Sequence, residues 1–114
     1  MFRYEKMLEY PINIKKKDLK MAKLLNDQLG GPHGELGACL RYLCPRFTMP
    51  DEKGRSLLSD IGCEEISHCE MIASMITQLM KDASIEELKN AGLLDYYTTH
   101  KKGIFPSGAN GVPF

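Results

Sequence analysis

Glu65 and His68 stand one helical turn apart in a stretch whose apolar residues recur at helical spacing. The walk Leu58, Ile61, Glu65, His68, Ile72, Met75, Leu79 alternates steps of three and four residues. At about 100° per residue, all seven side chains share one helix face. Five of the seven are apolar, so this is the face to bury. A carboxylate and an imidazole on such a face are costly unless something compensates them. A backbone carbonyl hydrogen-bonded to the histidine would do part of this, and a metal ion would do all of it. Glu-x-x-His, with its members at i and i+3, is the arrangement by which facing helices of a four-helix bundle hold paired metal ions. On the residues alone both accounts stand.

The elements that would position this pair can be read outward from it. A helix of about thirty residues is expected from Pro50 or Asp51 to Met80, with Glu52 in its first turn and Lys81 at its end. Its length is roughly 45 Å, ordinary for a bundle. Gly54 and Gly62 weaken it without overturning the periodicity. Upstream, Leu19, Met21, Ala22, Leu24, Leu25 and Leu29 predict a helix over about Lys16 to Gln28, with Asp18 near its start. Gly30-Gly31-Pro32-His33-Gly34 then breaks the pattern. Either one helix ends and another begins, or a single helix kinks there. Pro32 suits a new first turn.

Beyond the break, Leu36, Leu40, Leu43 and Phe47 form an apolar stripe that Pro45 and Pro50 bring to an end. Glu35 lies off to one side of it, on the flank with Cys39 and Tyr42. An acid in a first helical turn is favoured by the helix dipole whether or not it does anything else. Ser84-Ile85-Glu86-Glu87 reads as a capping box opening a short helix that Gly92 stops. From Leu93 the helical signal fades, and Gly103 to Phe114 reads as an extended strap. Two long helical arms cannot bury both sides of an apolar face, so further helices or a second chain must cover them. His33 reads as a loop residue, Glu64 and Glu70 as solvated, and His100 has no partner in the pattern. The methionines read as core filling.

With 114 residues there is room for one domain, spanning 1–114. Hydrophobic residues make up 43% and charged residues 26%, as in an ordinary globular chain. Fifteen basic and fifteen acidic residues cancel, which removes any electrostatic case for nucleic acid or an anionic membrane surface. No apolar run approaches the roughly 18–20 residues of a membrane span, and the first residues lack a signal-peptide core. A cytoplasmic protein is expected. Cys39, Cys44, Cys63 and Cys69 form no Cys-x-x-Cys, so zinc-ribbon and thioredoxin chemistry have no support.

Several stretches together resemble a known family. They are Met1-Phe2-Arg3-Tyr4-Glu5-Lys6, Tyr10-Pro11-Ile12-Asn13-Ile14, Gly30-Gly31-Pro32-x-Gly34-Glu35-Leu36, Arg41-Tyr42-Leu43, Arg46-Phe47-Thr48-Met49-Pro50, and Ile61-Gly62-x-Glu64-Glu65-x-x-His68-x-Glu70-Met71. The likeness is to the manganese catalases, nearest to their spore-coat, CotJC-type branch, and it runs the length of the chain. It implies an all-α, ferritin-like helical bundle of which this chain supplies the N-terminal half. It also implies disproportionation of hydrogen peroxide at a di-manganese centre, homo-oligomers, and association with other spore-coat proteins. By position in the motifs, Glu35 would be the single carboxylate ligand from the first bundle helix. Glu65 would bridge the metals, His68 would cap one of them, and Tyr42 would hydrogen-bond near the ligands. Manganese follows from the resemblance; the ligand types do not exclude iron.

One departure from the family pattern bears on function. The chain holds one Glu-x-x-His, since Gly30 precedes His33 by three and Tyr97 precedes His100 by three. Family members draw another Glu and another Glu/His pair from two further helices, so one copy carries half a site. Three explanations are open. The chain is part of a longer protein; two copies pair about a two-fold axis; or the half bundle is a structural coat component without metal chemistry.

Overall fold

The computed structural model of the chain describes residue 5 and residues 7–94. The strap expected over 103–114, together with Tyr97 and His100, lies outside the described residues. The described residues are helical without strands: α1 (Leu19–Gly30), α2 (Glu35–Leu43), a 3-10 turn (Pro45–Phe47), α3 (Glu52–Leu79) and α4 (Ile85–Asn90). None of these helices is long and apolar enough to cross a membrane.

Each helix starts where a side chain can satisfy orphaned backbone N–H groups. Asp18 caps α1 by accepting from the Met21 N–H at 2.9 Å, which moves the start three residues past the expected Lys16. Asp51 caps α3 by accepting from the Gly54 N–H at 2.7 Å, and α3 covers the expected span. Ser84 and Glu87 form the expected capping box of α4, and Gly92 follows at a φ of 70°.

The core sits at one end of the molecule. Ala22 of α1 packs there with Ile72, Ile76 and Leu79 of α3, and with Met80, Leu88 and Leu93 from the chain that follows. The Asp18 N–H donates to the Leu79 carbonyl at 3.0 Å and ties the start of α1 to the end of α3. Gln78 holds the leading segment as well: its amide accepts from the Ile14 N–H at 2.7 Å and donates to the Ile12 carbonyl at 2.9 Å. Both arms therefore run antiparallel along α3.

The apolar stripe of the second segment behaves differently from expectation. Leu36, Leu40 and Phe47 are 44%, 55% and 77% exposed, while Cys39 is buried. Leu43 meets α3 at Gly62, where a Cβ would stand 2.5 Å from a Leu43 methyl carbon, so the bare backbone of α3 forms the notch that receives it. Glu70, expected in solvent, is half-buried.

Candidate metal centre

The break between α1 and α2 determines where Glu35 goes. The chain ends one helix and starts another, the first of the two possibilities. The Gly31 N–H donates to the Asp27 carbonyl and the Gly34 N–H to the Gly31 carbonyl, both at 2.9 Å. A Cβ on Gly34 would meet the Gln28 and Asp27 carbonyl oxygens at 2.7 and 2.8 Å, so only glycine lets the chain fold back this tightly. Arg41 donates to the Pro32 carbonyl and pins α2 to the turn. Glu35, the first residue of α2, is thereby aimed at the middle of α3, and the amide of Gln28 donates to its Oε1 at 2.9 Å.

On α3, the one-turn spacing of Glu65 and His68 brings Glu65 Oε2 to 2.9 Å from His68 Nδ1. Glu35 Oε2 reaches the same nitrogen from α2 at 3.4 Å. One donor atom from each of Glu35, Glu65 and His68 lies within 4.8 Å of the others. The side chains are 18%, 14% and 38% exposed, so the cluster is mostly withdrawn from water yet open on its histidine side.

The charges are arranged as crowded ligands would be. The close approach of the two carboxyl groups lowers the Glu35 pKa and, aided by burial, raises that of Glu65. Gln28 and His68 help hold Glu35 ionised against the opposing effect of burial. Burial works against a charged His68, but its hydrogen bonds to Glu65 and Glu35 outweigh this and raise its pKa. Burial also raises the Cys39 pKa and pushes Cys69 up to about 11, so both thiols stay neutral beside the cluster. Neutral thiols do not compete for a hard metal.

Two carboxylates and an imidazole suit manganese by ligand hardness, and iron as well. A family model described as manganese containing catalase matches residues 1–113. The chain belongs to the manganese-containing catalase family. It is 50% identical over 114 residues to Protein CotJC of Bacillus subtilis strain 168, covering 100% of this chain and 60% of that protein. It is 33% identical over 127 residues to a manganese catalase of Bacillus subtilis, covering 100% of this chain and 46% of the relative. Among solved structures it is similar to KatB, a manganese catalase from Anabaena PCC7120. The TM-score is 0.79 and the identity 26%, over 99% of this chain and 50% of that one. The chain therefore spans about half to three fifths of the length of these relatives.

The manganese catalase resemblance and the ferritin-like helical bundle are both upheld by these matches. Of the residues singled out in the sequence, Glu35, Glu65 and His68 come together. Tyr42 is half-buried on α2, and among the described residues it makes no hydrogen bond to any of the three. His33 and Glu64 are exposed. Gln28 was missed: it sits before the break, seven residues from Glu35, and only the fold-back at Gly34 brings the two within reach.

Proposed function

We propose that Glu35, Glu65 and His68 hold manganese in one half of a di-manganese centre that disproportionates hydrogen peroxide, in a protein assembled with others in the spore coat. The observation that carries this reading is the convergence of Glu35 from α2 on the Glu-x-x-His of α3. Membership of the manganese catalase family supports the metal and the reaction. Similarity to CotJC supports the cellular setting.

When bound, manganese would supply the redox couple by which two peroxide molecules become two waters and one dioxygen. The residues of this chain have separate tasks around it. The ionised Glu35 carboxylate, steadied by Gln28, offers oxygen from α2. Glu65 offers a second carboxylate between the helices and His68 a nitrogen on the open side. Metal binding would require Glu65 and His68 to present free lone pairs, so any proton held there would have to leave. Ile72, one turn beyond His68 on α3, is buried in the core. Tyr42 is proposed as a further hydrogen-bond partner once the ligands are in place.

A second reading rests on a specific observation. The chain holds one Glu-x-x-His, and a full centre uses two such pairs with two further carboxylates. Without the missing half it would serve as a structural coat component. Loading the purified chain with manganese, removing free metal and following dioxygen release from peroxide separates the two. Release that depends on bound manganese supports the enzyme; bound manganese without release supports the structural component.

A further inference from the structure

Resting on the metal-centre reading, we infer that Asn26 is a positioning residue of the centre. Its buried amide would hydrogen-bond to the ligand set once manganese draws Glu35, Glu65 and His68 together.

The amide itself is the first support. Asn26, on α1, is wholly buried, and among the described residues it is the one polar residue that is. Neither its Oδ1 nor its Nδ2 has a hydrogen-bond partner among those residues. An amide brings two donors and an acceptor, and leaving them unmade in the interior is costly. An apolar side chain of the same shape would avoid that cost, so the buried amide calls for a partner.

Its place in the fold points to which partner. The tie between the Asp18 N–H and the Leu79 carbonyl sets α1 against antiparallel α3. Eight residues along α1 from Asp18 is a rise of about 12 Å, which brings Asn26 level with Met71 and Ile72 of α3. His68 is one turn further on. Asn26 also stands four residues past Ala22, on the side of α1 that joins Ile72 and Ile76 in the core. It therefore lies at the end of the core that faces the metal ligands. From that end of α1, Gln28 already reaches Glu35 at 2.9 Å, and Glu35 reaches His68 at 3.4 Å. Hydrogen-bond partners just outside the ligands are what hold such ligands in orientation. Metal entry must break the contacts of both carboxylates with His68 Nδ1, so the cluster changes partners. It does so one turn from an amide that can both donate and accept.

The test measures manganese affinity and melting temperature separately, in wild type, Asn26→Leu and Asn26→Gln. Asn26→Leu removes the amide and keeps its branched shape. Without manganese it should melt higher than wild type, because an orphaned polar group has left the core. Its manganese affinity, followed by the electron paramagnetic resonance of the free ion during titration, should fall at least about tenfold. Asn26→Gln keeps the amide and should bind manganese as wild type does, even where its extra methylene lowers the melting temperature. Opposite movements of stability and affinity in Asn26→Leu are what a merely structural residue would not give. Unchanged affinity in Asn26→Leu overturns the positioning role and leaves the metal reading intact. A lower melting temperature of Asn26→Leu without manganese overturns it as well, since the amide would then have had its partner already. Equal losses of affinity in both variants assign the effect to packing and overturn the role of the amide. A wild type that takes up no manganese overturns the metal reading, and this inference with it.

Discussion

At the scale of single residues, the centre depends on a competition for His68 Nδ1. Two carboxylates hold that nitrogen at 2.9 and 3.4 Å, and a metal ion would have to take their place on it. The orientation of Glu35 decides how readily this happens, and Gln28 holds that orientation through one hydrogen bond at an exposed position. Gln28→Ala should weaken manganese binding by about tenfold or more, the usual effect of removing a partner that orients a ligand. Its urea midpoint should stay put, since surface substitutions usually change stability by no more than about 0.5 kcal/mol. An equilibrium titration with manganese and a urea melt check the two halves of this prediction. Glu65 and His68 were legible in the sequence because a helix makes spacing equivalent to geometry. Gln28 was not, because its proximity to Glu35 is created by a turn whose path no helical wheel describes.

At the scale of elements, the approach of α2 to α3 is controlled by one missing side chain. Gly62→Ala would place a Cβ 2.5 Å from a Leu43 methyl carbon and 2.6 Å from Leu43 Cγ, which must move. Overpacking of this kind costs about 1–3 kcal/mol, against a helix-propensity gain of about 1 kcal/mol. The variant should melt lower than wild type and bind manganese more weakly, because Glu35 is displaced with α2. Gly37→Ala is the control. A Cβ there has ordinary contacts, the nearest at 3.4 Å, so its melting temperature should rise, corresponding to up to about 1 kcal/mol.

The capping box of α4 gives a pH dependence. The Lys17 ion pair, with the Ser84 N–H, lowers the Glu87 pKa in the folded chain. A lowered carboxylate pKa contributes stability above the usual carboxylate range, and that stability is lost as pH falls through the folded value. Glu87→Gln should flatten this acid limb in thermal melts taken between neutral pH and pH about 3. Helix starts were readable because Asp18, Asp51 and Ser84 announce them chemically. The exposure of Leu36 and Leu40 was not, because the pattern of α2 alone does not say which of its sides meets α3.

At the scale of the whole molecule, the described residues amount to a packed set of helices with its core at one end and the Glu35, Glu65 and His68 cluster partway along. Composition and periodicity made the all-α class legible, and the paired motifs made the family legible. The convergence of Glu35 on Glu65 and His68 was not legible from helix periodicity alone, because it is made by the turn between α1 and α2. The central claim is that Glu35, Glu65 and His68 hold manganese. It is tested most directly by the manganese retained per chain after loading and dialysis, in wild type beside the Glu65→Ala/His68→Ala double variant. The account predicts manganese retained in wild type and none above background in the variant. Equal retention in both proteins would contradict it.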